Sequence, residues 1–509
     1  MTENPNRSGP RRNDRGRQRS RGGGNQPRQY SKAAPSQRAR RADPARLAAF
    51  RTVTAVSRDD AYANLVLPEQ IRRAKLDKRD AGFATELTYG TLRAAGTYDR
   101  IIGQCIDRKI ADLDAPVLDA LRLGVHQLLA MRTDDHAAVN ETVGLVRDQI
   151  GAGPGGFVNA VLRKVAEKPL EAWIEELTAD ADPTETLAIR HAHPAWVVRA
   201  LRQSLKLHGR GDDLESLLEA DNAAPEVHLV GLPGLGEEAG QAALSSAVEA
   251  GAVPSELIEG AAVYRGGDIG RLAGVRDGAL RVQDIGSQWV AQALAEPAVQ
   301  MGERWLDLCA GPGGKAALLA ALAAQYEVTL LANEPAPHRA ELVSKALAAV
   351  DESAWGVRTG DGRTIAETGH PFDRILIDAP CTGLGALRRR PESRWRRQPK
   401  HLAELTVLQS ELLDAAADVL EPEGLLAYVT CSPHHAETVL QIEDVLKRRP
   451  ELTLLDAAEP MREVALPAGR SLLTEGPQPE GTAGKTVQLW PHIHGTDAMF
   501  FALLQKQPE

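Results

Sequence analysis

The stretch Trp305-Leu-Asp-Leu-Cys-Ala-Gly-Pro-Gly-Gly-Lys315 constrains the fold of this chain more than any other. An apolar run enters a glycine-rich turn, and an Ala/Leu-rich run follows at 316–324, which predicts a strand, a tight turn and the start of a helix. Glycines let backbone N–H groups approach a ligand closely, and a helix N-terminus adds partial positive charge. The stretch therefore predicts a nucleotide cradle, with an ordinary strand–helix turn as the alternative.

Four more apolar runs follow, at 327–332, 355–359, 372–377 and 424–429, and polar residues come directly after each. Amphipathic helical stretches separate these runs, an alternation that predicts a mostly parallel, doubly wound sheet. Ligands of such sheets bind outside the carboxyl ends of the strands. We therefore expect one rim to carry Asp307, Glu334, Asp361, Asp378, Cys381 and Cys431.

The glycine-rich turn does not fit a nucleotide triphosphate. Ala316 follows Lys315, so no Ser or Thr is placed for magnesium, and the glycine spacing is not that of a dinucleotide fingerprint. Glu334, 20 residues after Gly314, is placed to accept hydrogen bonds from ribose hydroxyls. A nucleoside cofactor without a triphosphate fits these parts, and S-adenosylmethionine is the predicted one.

Two cysteines on the same rim suggest the methyl acceptor. Cytosine C5 is a poor nucleophile, but a thiolate added at C6 makes C5 able to attack a sulfonium methyl, which is covalent catalysis. Lys315 and the basic segment 388–397 could favour the thiolate, and Asp378 could hold the pyrimidine edge. Spacing alone does not tell which of Cys381 and Cys431 is the nucleophile.

Three motifs in order, Asp307-Leu-Cys-Ala-Gly-Pro-Gly-Gly-Lys315, Asp378-Ala-Pro-Cys381 and Thr430-Cys431-Ser432, resemble the RNA cytosine-C5 methyltransferases. The resemblance implies that Cys431 is the nucleophile and that Cys381 assists product release. It also implies a cofactor site lined by Cys309, Ala310, Gly311, Pro312, Gly313, Gly314, Lys315, Glu334, Asp361 and Asp378.

Each of these residues also has a plainer interpretation. The cysteines could be ordinary buried residues, and Asp361 beside Gly362 could only form a turn. The four cysteines are widely spaced and form no Cys-x-x-Cys pair, so no metal site is expected.

Residues 1–43 contain 12 Arg/Lys against 3 Asp/Glu, a balance of +9, which leaves −18 for the rest of a chain of formal charge −9. Almost no apolar residue is present, so this basic tail is predicted to be disordered. A basic arm on an acidic body suggests attachment to nucleic acid, with a merely solubilising tail as the alternative.

Residues 44–171 read as all helical, and Pro116 begins a helix with apolar residues at 117, 118, 121, 125, 128 and 129. The stretches 80–87, 122–128 and 157–163 resemble the RNA-binding fold of the antitermination factor NusB. Linker helices and a small α+β module are predicted at 172–275, and the methyltransferase domain at 276–509. NusB-like and methyltransferase domains in one chain resemble the RsmB (Sun) family, which modifies small-subunit ribosomal RNA.

A basic segment directly follows the Cys381 motif. Its arginines around a tryptophan suit phosphate contacts and base stacking, and a solvated loop is the alternative. The predicted RNA-binding side chains are Arg388, Arg389, Arg390, Arg394, Trp395, Arg396 and Arg397. His191 and His193 beside Trp196 are expected to pack structurally rather than to bind a metal.

The sequence thus predicts a multidomain protein whose α/β Rossmann-like class I domain methylates C5 of a cytosine in 16S ribosomal RNA, with naked RNA or an early assembly intermediate as substrate. The same chemistry on transfer RNA and a non-catalytic RNA-binding or antitermination factor are the alternatives. Without an apolar run long enough for a signal peptide or a membrane span, a cytoplasmic monomer is expected. The chain also departs from the resembled family in two places: it has Glu437-Thr-Val where the family commonly shows Glu-Asn-Glu, and Asp497-Ala-Met-Phe where the family shows Asp-Gly-Phe-Phe.

Overall fold

The computed structural model describes residues 42–236, 239–265 and 267–508. Of the predicted basic tail, residues 1–41 lie outside the described residues. None of the described helices combines the length and the apolar character that crossing a membrane requires.

The first domain is a bundle of six helices. Asp43 caps the first helix by accepting a hydrogen bond from the Arg46 N–H at 2.9 Å, and Pro44 occupies the first turn, where its missing N–H costs nothing. The helix predicted to begin at Pro116 begins one residue earlier, and its apolar face is buried. The helices are α1 (Pro44–Arg58), α2 (Ala63–Ala74), α3 (Lys78–Cys105), α4 (Ala115–Leu129), α5 (Asp135–Gln149) and α6 (Gly155–Val165).

Four linker helices lead to a small antiparallel sheet. The linker helices are α7 (Leu170–Thr178), α8 (Pro183–Arg190), α9 (Ala195–Leu207) and α10 (Leu214–Ala220). The small module contains β1 (Val227–Gly231), α11 (Ala239–Glu249), β2 (Ala252–Pro254), β3 (Ala261–Tyr264), α12 (Ala273–Asp277) and β4 (Leu280–Val282). Its strand order is β2-β3-β1-β4. Because β4 pairs with β1, this sheet extends beyond the predicted boundary at residue 275.

The third domain is built on an eight-stranded sheet. Its first half contains α13 (Ile285–Ala295), β5 (Arg304–Asp307), α14 (Gly314–Gln325), β6 (Thr329–Glu334), α15 (Pro337–Leu347), β7 (Trp355–Thr359) and β8 (Phe372–Asp378). Its second half contains α16 (Ser393–Arg396), α17 (Pro399–Asp418), β9 (Leu420–Thr430), α18 (Val439–Arg448), β10 (Leu452–Leu454), α19 (Ala458–Glu463), α20 (Pro467–Thr474), α21 (Gly481–Lys485), β11 (Val487–Gln488), α22 (Pro491–His494) and β12 (Phe500–Lys506).

The strand order of this sheet is β10-β12-β9-β8-β5-β6-β7, with β11 paired to β12. The five strands from β5 to β9 run parallel, and β12 is antiparallel to β9. Helices pack on both faces, and the alanines of α14 are buried, which lets that helix lie close to its neighbours. The predicted doubly wound, Rossmann-like fold is confirmed.

Candidate active site

The carboxyl ends of the central strands bring the predicted site residues together. Asp307 ends β5, Glu334 ends β6 and Asp378 ends β8, while Cys431 follows the last residue of β9. These strands are neighbours in the sheet. Parallel strands deliver their carboxyl ends to one edge, so residues more than 120 positions apart in the sequence share one rim.

Two glycines of the turn after β5 occupy positions where a side chain has no room. A Cβ at Gly311 would lie 2.1 Å from Glu334 Oε2. Gly313 has φ +106°, and a Cβ there would lie 2.6 Å from the Cβ of Ala346. The backbone therefore approaches the end of β6 closely, and α14 begins directly after the turn with its N–H groups facing the rim.

Glu334 is buried against this turn. Its Oε1 accepts a hydrogen bond from the Ala336 N–H at 3.0 Å, and its Oε2 lies 3.4 Å from Arg339 Nη2. Arg339 in turn donates to the Gly311 carbonyl at 2.6 Å. The carboxylate is thus fixed beside the glycine-rich turn, the place expected for a group that binds ribose hydroxyls.

Asp307 is a fully buried carboxyl group that is only half satisfied. Its Oδ1 accepts from the Cys309 N–H at 3.3 Å, and its Oδ2 has no hydrogen-bond partner among the described residues. Burial, reinforced by the nearby Asp378 carboxylate, raises the pKa of Asp307 to about 7. A buried acceptor without a donor is costly, and a cationic ligand would satisfy it.

Lys315, in the first turn of α14, pairs with Asp378 across the rim. Its Nζ donates to Asp378 Oδ2 at 2.7 Å. Burial disfavours the charged amine, but the Asp378 carboxylate more than offsets this and raises the pKa of Lys315. Asp378 keeps about a third of its side chain exposed at 31 %, so it remains open to a ligand while its charge is held in place.

Cys381 and Cys431 face each other with their Sγ atoms 3.4 Å apart. A hydrogen bond from the Cys381 thiol, supported by the charges of Lys315 and Arg390, lowers the pKa of Cys431 against burial and the Asp378 charge. The same hydrogen bond, with burial, raises the pKa of Cys381. Because the positive charges favour Cys431, this thiol is the one set to ionise.

The side chains of two predicted cofactor residues, Asp361 and Cys309, are less directly available to a ligand. The carboxylate of Asp361 caps the turn after β7 and is held by Arg363, whose Nη2 lies 2.6 Å from Asp361 Oδ2. That hydrogen bond, joined by those from the Arg363 backbone, lowers the pKa of Asp361. Burial raises the pKa of the Cys309 thiol well above its usual range, so the turn presents its backbone rather than a reactive sulfur.

The basic segment after Cys381 departs from the prediction. Arg394 is fully buried, where it donates to the carbonyls of Ala192 and Asp221 and to the Asn222 side chain. Arg388 is also buried and donates to the Gly495 carbonyl at 3.2 Å. Burial leaves these two guanidinium groups inaccessible to RNA in this structure, and the hydrogen bonds that they do make go to protein acceptors.

Three further members of this segment also contact protein. Arg389 pairs with Asp284 at 2.5 Å and with Asp497 at 3.0 Å. The Trp395 indole donates to the Leu92 carbonyl at 2.9 Å and lies against Gly96 of α3. Arg396 donates to the Val56 carbonyl at 2.6 Å. The segment fastens the helical domain to the catalytic domain, and Arg390 is its exposed arginine nearest the cysteines.

His191 and His193, which were predicted to have packing roles, make hydrogen bonds within the protein. His193 is buried with Nδ1 2.7 Å from the His191 carbonyl oxygen, and His191 Nε2 lies 3.0 Å from Glu215 Oε1. The sequence analysis gave no role to Glu437, which joins the two cysteine loops from within the core. The available signal was the family pattern at 437–439, of which this chain keeps the first residue, Glu437.

Comparison with known proteins agrees with this geometry. Residues 294–505 match the family described as 16S rRNA methyltransferase RsmB/F, and residues 43–167 match the NusB family. A Pseudomonas putida protein named Ribosomal RNA small subunit methyltransferase B is 34% identical over 448 residues, covering 84% of this chain and 95% of the relative. The chain belongs to the RsmB/F family.

A further relative and two solved structures are also similar to this chain. A Mycobacterium tuberculosis protein named as a methyltransferase, Rv1407, is 48% identical over 476 residues, covering 92% of this chain and 98% of the relative. The crystal structure of PH0851 has a TM-score of 0.75 at 22% identity and covers 92% of this chain and 100% of that one. NSun6 from Pyrococcus horikoshii with SFG has a TM-score of 0.50 at 15% identity, covering 61% and 98%. The two structures agree with the predicted fold.

Members of this family use S-adenosylmethionine, so the protein is an S-adenosylmethionine-dependent RNA methyltransferase. The residues present fit that cofactor. The glycine cradle, the buried Glu334 and the unpartnered Oδ2 of Asp307 provide a close backbone, an acceptor for hydroxyls and an acceptor for a cation.

Proposed function

We propose that this enzyme methylates C5 of a cytosine in 16S ribosomal RNA through a covalent bond between Cys431 and C6. The observation that carries the proposal is the pair of thiols 3.4 Å apart beside the Lys315–Asp378 ion pair. A methyltransferase acting on a nitrogen or oxygen atom has no use for two cysteines on this rim, whereas attack through C5 needs a nucleophile at C6.

The cofactor would be held by the part of the rim at the ends of β5, β6 and β7. The turn 309–315 would lie along it, Glu334 would accept from the ribose hydroxyls, and Asp307 Oδ2 would accept from the ammonium group. Asp361, beside β7, would border the adenine end. When bound, S-adenosylmethionine supplies an electrophilic methyl group on a sulfonium centre.

The part of the rim at the ends of β8 and β9 would act on the base. Asp378 would accept from the exocyclic amine of cytosine and stabilise the protonation that develops at N3. The Cys431 thiolate would add to C6, and the electron pair released to C5 would form the new bond to the methyl carbon. The C5 proton would then leave to water, and the Cys431–C6 bond would break with its electron pair returning to sulfur, which restores the aromatic ring, with Cys381 assisting release.

The RNA would approach across the junction between the helical and catalytic domains. Arg390 is exposed and lies 5.0 Å over the Tyr62 ring. A groove of 480 Å³ beside it is lined by both domains, and Arg397 and His401 contribute to its walls. Cationic and aromatic groups together suit a single strand whose bases are unstacked.

The proposal is tested by methyl transfer from labelled cofactor to naked 16S RNA, to assembly intermediates and to a transfer RNA pool, with the product digested to nucleosides. We expect 5-methylcytidine in 16S RNA. Label confined to transfer RNA would contradict the substrate, and label on another atom would contradict the reaction. RNA binding without cofactor binding or label would favour the non-catalytic alternative.

A further inference from the structure

One buried carboxylate that has no part in the reaction described above joins the two cysteine loops. Glu437 lies in the turn between β9 and α18 and is fully buried. Its Oε1 accepts from the Thr382 N–H at 2.8 Å and from Gln409 Nε2 at 3.2 Å, and its Oε2 accepts from the Ser432 hydroxyl at 2.7 Å. The Thr382 hydroxyl also donates to Oε2.

The donors identify what this carboxylate holds. Thr382 directly follows Cys381, and Ser432 directly follows Cys431. Their hydroxyl oxygens lie 3.1 Å apart, and both contact the same carboxylate oxygen. Gln409 adds a third element, because its amide also donates to the Pro380 carbonyl at 2.8 Å. One side chain thus fixes the separation between the two loops that carry the thiols.

Glu437 is itself held from the other side. The Tyr428 hydroxyl, on β9, donates to the Glu437 carbonyl at 2.9 Å, and Thr438 donates from its hydroxyl to the His434 carbonyl at 3.1 Å. These hydrogen bonds restrict movement of the backbone around Glu437. The carboxylate therefore keeps a fixed position in the core.

Groups that can donate a hydrogen bond surround both oxygens of this side chain. A carboxylate accepts at both oxygens, and each of the four contacts to Glu437 comes from an N–H or O–H group that can donate. Among the described residues Glu437 forms no ion pair, and the ionisable cationic neighbour that acts on it electrostatically is His434. Its negative charge adds to burial and to the Cys431 hydrogen bond in raising the pKa of Cys381.

We propose that Glu437 is a positioning residue that holds the two cysteine loops at a fixed separation and biases the pair of thiols, so that Cys431 rather than Cys381 adds to the base. The proposal rests on the two-cysteine reaction proposed above. It explains how two similar thiols in contact acquire different roles. The charges of Lys315 and Arg390 act on Cys431, and the charge of Glu437 acts on Cys381.

Glu437→Gln tests this, because glutamine keeps the shape and one acceptor but removes the charge. We would follow alkylation of each thiol by iodoacetamide in the full-length protein, using peptide mass spectrometry across pH 6–9. In the wild type, Cys431 should react faster than Cys381. In Glu437→Gln, the ratio of Cys381 to Cys431 labelling at pH 7 should rise severalfold, because loss of the Glu437 charge removes one of the causes that raise the pKa of Cys381.

Glu443→Gln is the matched control, since it removes the same charge from a half-buried position in the middle of α18 and should leave the ratio unchanged. If Glu437→Gln leaves the ratio at the wild-type value, the proposal is wrong. Because alkylation requires neither RNA nor cofactor, this outcome is separate from a failure of the proposed reaction, which would appear as absent methyl transfer by the wild type.

If Glu437→Gln does not fold, the double variant Thr382→Val with Ser432→Ala carries the test. It removes two of the hydrogen bonds and keeps the charge. We expect kcat for methyl transfer to fall severalfold at unchanged KM for RNA, with Cys431 still the faster thiol. An unchanged kcat would overturn the positioning role.

Discussion

Asp307→Asn should make the enzyme more stable and less able to bind its cofactor. Asp307 is fully buried, and its Oδ2 has no partner among the described residues. In our proposal, the ammonium group of the bound cofactor donates the hydrogen bond that this oxygen lacks. Asparagine keeps the acceptor for the Cys309 N–H at 3.3 Å but carries no charge.

The pKa rise of Asp307 gives the magnitude. The carboxyl group titrates at about 7 in the folded chain against an ordinary value of 3.8, so the folded state binds its proton more tightly. Stability therefore falls as pH rises through this window, and the loss is complete above pH 7. Three units correspond to about 4 kcal/mol, from which an unsatisfied Asn amide subtracts about 1–3 kcal/mol. A net gain of about 1–3 kcal/mol remains at pH 8.

Denaturant and thermal unfolding at pH 5 and pH 8, with and without cofactor, measure both effects. The variant should exceed the wild type at pH 8 and lose this advantage by pH 5. Calorimetric titration should show S-adenosylmethionine binding about 10- to 100-fold more weakly, the loss of one charge-assisted hydrogen bond. A variant that is no more stable at pH 8, or that binds the cofactor as tightly as the wild type, would refute the reasoning.

Three further substitutions test the electrostatics and the domain junction. Lys315→Met removes a cation that lowers the pKa of Cys431, so the pH profile for alkylation of that thiol should move to higher pH; an unchanged profile would contradict the role of the lysine. Arg394→Ala leaves buried carbonyls without donors and should lower the free energy of unfolding by about 3 kcal/mol, while the folded fraction binds RNA normally in a filter assay. Arg390→Ala should do the reverse, with unchanged thermal unfolding and a salt dependence of RNA affinity reduced by about one ion; equal effects of the two arginine variants on RNA affinity would contradict this division.

The central sheet could be predicted because its signals are local. The strand predicted at 355–359 is β7 to the residue, since an apolar run bounded by polar residues needs no distant partner to be recognised. The strand predicted to begin at residue 327 begins at Thr329, because Glu327 adopts a left-handed φ of +54° and still belongs to the preceding turn. The rim residues followed from topology, because parallel strands share one edge.

The arginine segment shows what a sequence cannot supply. Dense arginines beside a catalytic motif are typical of phosphate contacts, but the acceptors of Arg394 belong to residues around 192 and 221, and that of Trp395 belongs to Leu92. Nothing in the local pattern distinguishes a guanidinium that faces RNA from one that is buried between domains. The contacts of Glu437 were missed for the same reason, because its donors come from loops up to 55 positions away.

The junction has a consequence for catalysis. Because Arg396 and Trp395 attach the helical domain to the loop that follows Cys381, the position of that domain is coupled to the catalytic rim. Arg390 lies on Tyr62 of the helical domain and also acts electrostatically on Cys431. In our proposal, RNA bound by the helical domain would be presented to the thiol through this junction.

The most direct measurement of the central claim is the protein–RNA adduct formed by cysteine variants in the presence of S-adenosylmethionine and 16S RNA. Denaturing electrophoresis and mass spectrometry of the crosslinked peptide identify the attached residue. We expect Cys381→Ala to accumulate an adduct through Cys431, and Cys431→Ala to form none and to transfer no methyl group. An adduct through Cys381 in Cys431→Ala, or full methyl transfer by Cys431→Ala, would contradict the account.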